Sequence, residues 1–354
     1  MDDSYRDLLH AMQVDSEKAE PQYQPTYYWK ICSDRITDDL ERHGLENFRA
    51  MPAALMHFVP TYIFGDLAPF PDKQQAVARA LKAAAPDSPK TQLWLDELLT
   101  GRMLAAADYR VFRASYRDRV PYLDQANESK IGNPVGQSSI EGRNFSRSML
   151  NYLLGLNFLK EHISDVPCRT VLEIGGGFGT LGEILLSDSR NDTFYINVDI
   201  PPTALFSTYY LRQVLGEDRV IDYRQTREQD EFEIEDFRSD GKAAVMCAWQ
   251  LPKLRGKVDI FVNFISFQEI EPDVVEGYLQ QVSRLESKYV LLRNIREGRE
   301  LASNDGDLGM QRATIAEDYD RFLPDYDLVA TNVIPYGFAT VDGFHSELRL
   351  YRRR

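Results

Sequence analysis

The fold is decided by the stretch Val171-Leu172-Glu173-Ile174-Gly175-Gly176-Gly177-Phe178-Gly179, an apolar run that ends in a glycine-rich turn. A helical pattern, TLGEILL, begins immediately after it. Glycine permits a tight turn, and the missing Cβ atoms allow backbone N–H groups at the start of a helix to come close to a ligand. Strand, glycine turn and helix in this order predict a nucleotide-binding corner of a parallel sheet.

The sequence on the C-terminal side of this motif alternates between short apolar runs and amphipathic segments. This alternation predicts a parallel sheet with helices on both faces. The last two β-rich runs flank Asp342-Gly343, a hairpin signal, so the final strand is expected to be antiparallel. The seven predicted strands lie in TVLEI, FYINVDI, AAVMCAW, VDIFVNFI, KYVLLRNI, DLVATNVIPYGFATV and FHSELRLYRR.

Residues 1–165 have a different pattern, in which apolar residues recur at spacings of three and four. This spacing is typical of amphipathic helices, and prolines divide the region into helices of ordinary length. We therefore predict a helical N-terminal region over 1–165 and a ligand-binding α/β domain over 166–354. Tyr223 to Lys242, rich in charged and amide side chains, is expected to be a solvated excursion.

Composition excludes several functional classes. The chain of 354 residues has 41 Lys and Arg against 55 Asp and Glu, a net charge of −14, which disfavours binding to a nucleic-acid backbone. The N-terminus lacks the basic segment of a signal peptide, and no apolar run is long enough to cross a membrane, so we expect a soluble, cytoplasmic protein. The three cysteines lack any CxxC spacing and are interpreted as packing thiols.

Two acidic residues indicate which ligand the glycine turn binds. Asp199 is the last residue but one of FYINVDI, 22 residues after Gly177, where a carboxylate is expected to accept hydrogen bonds from ribose hydroxyls. Glu173 precedes the glycines, and its charge would repel the pyrophosphate of NAD or FAD. S-adenosylmethionine instead carries an amino group and a sulfonium, so the pattern favours this cofactor over a dinucleotide.

With these features together, the chain resembles the class I S-adenosylmethionine-dependent methyltransferases, which have a Rossmann-like seven-stranded sheet with an antiparallel C-terminal strand. Within that class it is similar to the sugar O-methyltransferase family of natural-product and surface-glycan pathways. The segments that carry this second resemblance are Val258 to Ile270, Gly132-Asn133-Pro134, Gly343 to Leu348, Tyr28-Trp29 and Asn47-Phe48-Arg49.

The resemblance implies roles for the cofactor-binding residues. The glycines would approach the methionine end, Glu173 would bind its amino group, and Asp199 would bind the ribose. Many class I enzymes have an acid after the third strand for the adenine amino group, but this chain has Trp249 and Gln250 there, which could stack on and hydrogen-bond the base. The full predicted set is Glu173, Gly175, Gly176, Gly177, Gly179, Asp199, Ile200, Trp249, Gln250 and Asn263.

Methylation of a hydroxyl requires a base, and two residues are candidates. His345 begins the last strand, and Glu347 would point to the same side and orient its ring. Glu269 follows the fourth strand of the predicted parallel sheet. A surface hairpin histidine and a helix-dipole acid before Pro272 are the open alternative interpretations. Candidate acceptor-binding residues are Ser266, Gln268, Glu141, Arg143 and Glu347.

We therefore predict an O-methyltransferase that transfers the methyl group of S-adenosylmethionine to a hydroxyl of a sugar or glycoside. The alternatives are an N- or O-methyltransferase for a non-sugar small molecule, a nicotinamide-dependent oxidoreductase, and a catalytically silent binding protein. No metal-ligand spacing is evident, although a Mg²⁺ ion held by separate loops stays open. The helical region is expected to act as a lid that selects the acceptor, and a homo-oligomer formed through it also stays open.

Overall fold

The computed structural model describes residues 1–240, 242–304, 307–334 and 337–354. A small hairpin precedes the main sheet in the chain, and a two-stranded parallel ladder accompanies that sheet. The strands are β1 (Ser138–Ile140), β2 (Arg143–Phe145), β3 (Thr170–Ile174), β4 (Phe194–Asp199), β5 (Val220–Ile221), β6 (Phe232–Glu233), β7 (Ala243–Cys247), β8 (Leu254–Arg255), β9 (Ile260–Phe264), β10 (Tyr289–Ile295), β11 (Tyr326–Ile334) and β12 (Ser346–Arg353).

The helices are concentrated before β3 and between the strands of the main sheet. They are α1 (Asp3–Ser16), α2 (Tyr27–His43), α3 (Pro52–His57), α4 (Pro71–Ala84), α5 (Pro89–Leu99), α6 (Arg102–Ser115), α7 (Arg147–His162), α8 (Thr180–Leu186), α9 (Thr203–Leu215), α10 (Tyr223–Thr226), α11 (Ile234–Asp240), α12 (Pro272–Arg284) and α13 (Ala316–Phe322). Within the described residues, the longest helix is α2, and no helix is long and apolar enough to span a bilayer.

The main sheet has the order β11-β12-β10-β9-β3-β4-β7-β5. Strands β3, β4, β7, β9 and β10 are parallel, and β12 runs antiparallel between β10 and β11. The seven predicted strands and the antiparallel C-terminal strand are present, so the predicted class I methyltransferase fold is confirmed. The sheet differs from the prediction by its eighth strand, because the two residues of β5 extend the edge beside β7.

The central strands are buried on both faces because helices cover the sheet on each side. All residues of β3, β4 and β9 are buried. Successive residues of a strand pack into two different hydrophobic cores. Val171 packs in the core that contains residues of α7 to α9, and Leu172 packs in the core that contains residues of α12 and α13. This is the period of two expected of a strand in a doubly covered parallel sheet.

The N-terminal region is helical, as predicted, apart from the β1–β2 hairpin. Its apolar side chains share a core with α7 to α9, so the helices pack directly on one face of the sheet. A buried ion pair of 2.8 Å between Arg49 and Glu128 lies in the same region, and the Arg49 guanidinium lies 4.8 Å from the centre of the Phe178 ring. Phe178 belongs to the glycine turn, so the N-terminal region is connected to the predicted ligand site.

Two local expectations need correction. The predicted solvated segment from Tyr223 to Lys242 contains α10, β6 and α11, and Tyr223, Phe232 and Ile234 within it are buried. Gly241 lies outside the described residues.

The Asp342-Gly343 signal corresponds to a turn in which the Gly343 N–H donates to the Thr340 carbonyl at 2.9 Å. That turn lies in a longer connection between β11 and β12 and does not join them directly.

Candidate functional site

A cavity of about 190 Å³ lies at the carboxyl ends of β3, β4 and β9, much larger than the ~10–15 Å³ that one water molecule requires. Ligands of open α/β sheets bind at this edge. Trp29 and the segment from Leu55 to Pro60 contribute one wall, and the strand ends and α7 contribute others. The lining residues are Trp29, Leu55, Met56, His57, Phe58, Val59, Pro60, Ser148, Asn151, Tyr152, Ile174, Gly175, Gly176, Gly177, Phe178, Thr180, Val198, Asp199, Ile200, Thr203, Ala248, Phe264, Ile265, Ser266, Glu269, Ile270 and Tyr278.

The glycine turn lies against the cavity where side chains would not fit. Gly175 has a φ of +69°, and a Cβ atom there would lie 2.1 Å from Ser266 Oγ. A Cβ on Gly176 would lie 2.4 Å from a Glu173 carboxylate oxygen. Gly177, with a φ of +60°, has no atom closer than 4.0 Å to the corresponding position. The first two glycines are required by packing, and the third leaves open space beside the turn.

Asp199 lies at the end of β4 and lines the cavity as predicted. Its carboxylate accepts a hydrogen bond of 3.0 Å from the Gly177 N–H and one of 2.8 Å from the Ile200 N–H. Burial raises the pKa of Asp199 to about 7, while the two backbone hydrogen bonds act in the opposite direction. The carboxylate therefore joins the glycine turn to the β4 end, and Ile200 also lines the cavity.

Glu173 lies underneath the glycine turn, outside the residues that line the cavity. Its side chain is fully buried, and its two carboxylate oxygens accept hydrogen bonds from the hydroxyls of Tyr152 at 2.7 Å and Tyr195 at 2.5 Å. Burial raises the pKa of Glu173 to about 7, and the tyrosine hydrogen bonds act in the opposite direction. A direct contact with a ligand amino group stays a prediction, because both oxygens already have partners.

Glu269 is the predicted base that reaches the cavity. It follows β9 in the 3₁₀ turn Phe267–Glu269, and only 5% of its surface is exposed. Burial raises the pKa of Glu269 to about 7, and the Arg299 guanidinium, which hydrogen-bonds the carboxylate, acts in the opposite direction. A carboxylate with a pKa near neutrality is suited to accept a proton at physiological pH.

The structure does not bring His345 or Glu347 to the cavity. The His345 ring hydrogen-bonds Glu297, and the His345 N–H donates to the same carboxylate at 3.0 Å. Glu347 is buried in β12 and forms ion pairs with Arg296 at 3.3 Å and Arg349 at 3.2 Å. The expected His345–Glu347 pairing is therefore wrong, because a nearer carboxylate on the loop after β10 takes the histidine.

Asn263, Gln268 and Gly179 were predicted to contact the cofactor or the acceptor, and in the structure they make contacts within the protein close to the cavity. The Asn263 amide donates to the Ile174 carbonyl at 2.9 Å and accepts from the Phe267 N–H at 3.2 Å. Gln268 accepts a hydrogen bond of 2.8 Å from the Ile295 N–H, and a Cβ on Gly179 would lie 3.0 Å from Leu211. These contacts hold the strand ends and α8 in place, whereas Ser266 does line the cavity.

The adenine contacts expected from Trp249 and Gln250 are not found at the cavity. Trp249 lines a separate shallow cleft and donates its indole N–H to the Tyr223 hydroxyl at 3.3 Å. Gln250 is buried, accepts from the Cys247 N–H at 2.9 Å and donates to Thr226 at 3.1 Å. In the 3₁₀ turn that follows β7, Ala248 is the residue that lines the cavity.

Glu141 and Arg143, predicted to bind the acceptor, lie at the β1–β2 hairpin. Both contact the Tyr109 hydroxyl, which donates to Glu141 at 2.5 Å and lies 3.1 Å from Arg143. Arg143 also donates to the Asp124 carbonyl. The two residues hold the hairpin against α6 and do not line the cavity, so this expectation needs correction.

Sequence reasoning missed His57, at the end of α3, which lines the cavity. Its Nδ1 lies 3.4 Å from both the Tyr28 hydroxyl and the Cys32 sulfur, and its Nε2 is buried without a partner among the described residues. Burial lowers the pKa of His57 to about 4, so the ring is neutral at physiological pH. The Arg299 guanidinium lies 4.6 Å from the centre of the Tyr28 ring.

Further missed residues are recognised only from the folded structure. Asn151 and Thr203 are lining residues of the cavity, and their Nδ2 and Oγ1 atoms are buried without a hydrogen-bond partner among the described residues. Ile265 has a φ of +72°, which is rare for a β-branched side chain and is found mainly at functional sites. Unpartnered polar atoms and a strained residue around one cavity indicate a ligand-binding site.

The cavity is acidic in its described part. Asp199 and Glu269 are its ionisable acids, and no Lys or Arg is among the described lining residues. The Gly177 N–H, which would face a pyrophosphate in a dinucleotide site, already donates to Asp199. Within the described ranges, no three His, Cys, Asp or Glu side chains are grouped to hold a metal ion. A ligand with a positive charge fits this cavity better than a dinucleotide.

No protein-family model matches the chain, and the comparison with curated proteins finds no significant match. Among solved structures, it is similar to a magnesium protoporphyrin IX methyltransferase from Synechocystis PCC 6803 with S-adenosylhomocysteine bound, at 13% identity over 58% of this chain and 82% of that chain, with a TM-score of 0.37. A S-adenosylmethionine-dependent methyltransferase from Aquifex aeolicus matches at 14% identity over 56% and 88%, with a TM-score of 0.32. The mitomycin 7-O-methyltransferase matches at 12% identity over 92% and 99%, with a TM-score of 0.37. The fold assignment rests on the strand order described above.

Proposed function

We propose that this chain is a S-adenosylmethionine-dependent O-methyltransferase that acts on a hydroxyl group of a sugar or glycoside. The observation that carries the cofactor assignment is the Asp199 carboxylate, which bonds the Gly177 N–H across the glycine turn at one edge of the cavity. In this position, Asp199 is suited to the ribose hydroxyls, while the acidic lining suits a sulfonium. The bound cofactor would supply an electrophilic methyl group.

Glu269 is the proposed general base. The acceptor hydroxyl must lose its proton as its oxygen attacks the methyl carbon, and Glu269 is a buried carboxylate at the cavity wall. Arg299 holds one carboxylate oxygen and so orients the group. A positioned base contributes about 10²–10⁴-fold to such a reaction. The wall from Leu55 to Pro60, part of the helical region over 1–165, covers the site and is suited to select the acceptor.

A phenolic acceptor is the second candidate, and the aromatic side chains of the cavity wall suit it as they suit a sugar. Trp29, Phe58, Tyr152, Phe264 and Tyr278 line the cavity and present apolar ring surface. Such rings stack on the C–H face of a sugar and also pack against a flat aromatic acceptor. The sugar assignment rests on the sequence resemblance, so both acceptor classes belong in the same assay.

The cofactor is tested by isothermal titration calorimetry with S-adenosylhomocysteine, with NAD as the comparison ligand. We expect micromolar binding that Asp199→Ala weakens by about 10-fold or more, roughly 1.4 kcal/mol. Asp192→Ala is the matched control, because Asp192 is exposed just before the opposite end of β4. Binding of NAD without binding of S-adenosylhomocysteine would refute the assignment and favour an oxidoreductase.

The acceptor is tested by transfer of a radiolabelled methyl group to a panel of nucleotide sugars, glycosides, phenols and amines. Transfer to a sugar hydroxyl supports the primary proposal, and transfer to phenols alone supports the second candidate. Amine acceptors alone would contradict a role for a base, because a neutral amine can attack without one. Binding of S-adenosylhomocysteine without transfer to any class would favour a silent binding protein.

A further inference from the structure

Two arginine side chains lie close together beside the cavity, and neither has a carboxylate partner among the described residues. Arg293, near the end of β10, is 5% exposed, and its Nη1 is buried without a hydrogen-bond partner. Its Nε donates to Ser346 Oγ at 3.1 Å. Arg147 begins α7, is partly exposed, and donates to the Thr61 carbonyl at 3.1 Å. Within the described ranges, neither guanidinium forms an ion pair with Asp or Glu.

The position of Arg147 conflicts with the electrostatics of its own helix. It is the first residue of α7, a helix of 16 residues whose first turn contains no acid. The N-terminus of a helix carries a partial positive charge, which favours anions and disfavours cations. Arg147 therefore adds a full positive charge where the backbone already supplies a partial one. A bound anion would resolve this conflict, because it would be attracted by both.

Arg293 adds a second full charge to the same region. Burial, and after it the charge of Arg147, lowers the pKa of Arg293 to about 10, which leaves the side chain charged at neutral pH. Buried charges are normally paired, because an unpaired one loses its hydration without compensation. Asp108 acts in the opposite direction on Arg293, but its carboxylate already accepts a hydrogen bond from the Tyr62 hydroxyl. The described part of this region therefore has an excess of positive charge, in a chain whose net charge is −14.

The two arginines lie on the side of the cavity that is remote from the predicted ribose site. Arg147 directly precedes Ser148, which lines the cavity, and Arg293 pairs in register with Phe264, another lining residue. Strand β10 is separated from β3 by β9, which corresponds to about 10 Å at the usual spacing of strands. Asp199 ends β4, on the other side of β3. A group bound at the arginines would therefore extend from the β10 side of the cavity.

We propose that the acceptor carries a phosphoryl group, which binds at the start of α7 against Arg147 and close to the charge of Arg293. This inference rests on the proposed function, and it narrows the acceptor to phosphorylated sugars. A phosphoryl group has the charge to compensate both guanidinium groups, and its oxygens accept hydrogen bonds from arginine and from a helix N-terminus. Arg147 supplies the contact atoms. Arg293, whose Nη1 is closed off from solvent, acts through its charge.

The test is calorimetric titration with inorganic phosphate at constant ionic strength, with and without saturating S-adenosylhomocysteine. We expect Arg147→Gln and Arg293→Met each to weaken phosphate binding by about 10-fold or more, roughly 1.4 kcal/mol. Both variants should keep S-adenosylhomocysteine affinity within about 2-fold. Glucose 1-phosphate and uridine diphosphate glucose are titrated next, and the one that binds more tightly identifies a monoester or a diphosphate as the source of the phosphoryl group. Methyl glucoside is the neutral comparison and should bind more weakly than either.

The matched control is Arg169→Gln, which removes the same charge from an exposed position just before β3, at the opposite edge of the sheet. It should keep phosphate affinity within about 2-fold of the wild type. Arg293→Met should melt no lower than the ligand-free wild type, because it removes a buried charge without a carboxylate partner. Arg147 is partly exposed, so Arg147→Gln tests the site without a change in the core.

Three results would overturn the inference. The first is a wild type that binds S-adenosylhomocysteine but no phosphate. The second is a loss of phosphate affinity in Arg147→Gln no larger than in the Arg169→Gln control. The third is an equal loss of S-adenosylhomocysteine affinity in Arg147→Gln, which would place this arginine at the cofactor. A wild type that binds no S-adenosylhomocysteine would instead refute the proposed function, and the titration without that ligand would still report whether the arginines bind phosphate.

Discussion

Replacement of Glu173 by glutamine should make the stability of the protein less dependent on pH. Glu173 is fully buried in β3 beneath the glycine turn, where Tyr152 and Tyr195 donate hydrogen bonds to its two oxygens. Burial raises the pKa of Glu173 from its ordinary value of 4.5 to about 7. Glutamine has almost the same shape and does not ionise, so it removes the titration while keeping the packing.

The magnitude follows from linkage between proton binding and folding. A pKa difference of about 2.5, at about 1.4 kcal/mol per pKa unit, corresponds to roughly 3 kcal/mol. The pKa of Glu173 is higher in the folded protein than in the unfolded chain, so ionisation of Glu173 destabilises the folded wild type. This destabilisation is absent below the unfolded pKa, grows as the pH rises, and is complete above the folded pKa. Between about pH 5 and about pH 8, the variant should therefore gain about 2–3 kcal/mol of unfolding free energy relative to the wild type.

The assay is urea unfolding of the ligand-free protein, followed by circular dichroism at both pH values. Glutamine leaves one tyrosine hydroxyl without its acceptor, which lowers the unfolding free energy of the variant by about 1–3 kcal/mol. This loss is the same at both pH values, so it cancels when the difference between variant and wild type is compared between them. Glu276→Gln, on the exposed side of α12, is the surface control and should change stability by no more than about 0.5 kcal/mol. An equal difference between Glu173→Gln and wild type at the two pH values would refute the reasoning.

Three further predictions concern the cavity and its surroundings. Gly175→Ala should reduce S-adenosylhomocysteine affinity at least about 10-fold in calorimetry, because the new Cβ would lie 2.1 Å from Ser266 Oγ and the residue has a positive φ. Adding Ser266→Ala to this variant should restore only part of the lost affinity, because it removes the clash and leaves the positive φ. Glu269→Ala should lower turnover of an acceptor identified in the panel by about 10²-fold or more, whereas His345→Ala should cost less than about 10-fold; the reverse order would contradict the placement of the base. Gln250→Ala should lower the unfolding free energy by about 1–3 kcal/mol through its lost buried hydrogen bonds and leave S-adenosylhomocysteine affinity within about 2-fold; a larger loss of affinity would return this residue to the adenine site.

The parts of the site that the sequence predicted are those with short-range signals. Gly175, Gly177 and Asp199 were recognised because a strand, a glycine turn and an acid at the end of the next strand occur within thirty residues, and parallel strands end at one edge of a sheet. Glu269 was recognised for a related reason, since it follows another strand of the same sheet. Gly175, Gly177 and Asp199 line the cavity, as does Glu269.

The errors arose where strand-end position alone was used to infer the direction of a side chain. Trp249 and Ala248 are neighbours after β7, but the 3₁₀ turn directs Ala248 to the cavity and Trp249 to a separate cleft. Position in a strand also placed Glu347 beside His345, whereas Glu297 from a different loop takes the histidine. Tertiary packing chooses among several acceptable hydrogen-bond partners, and spacing in one segment does not specify that choice.

The sequence by itself determined the sheet, its antiparallel end, and the glycine turn with its acid, because periodicity and turn chemistry act over a few residues. Only the tertiary structure decided that His57 and Asn151 share a cavity with Asp199, although they lie in helices far from it in the chain. It also decided that Glu173 is enclosed by two tyrosines beneath the turn. The physical reason is that local patterns establish which face of a helix or strand is buried, while the packing of distant elements establishes which side chains meet there.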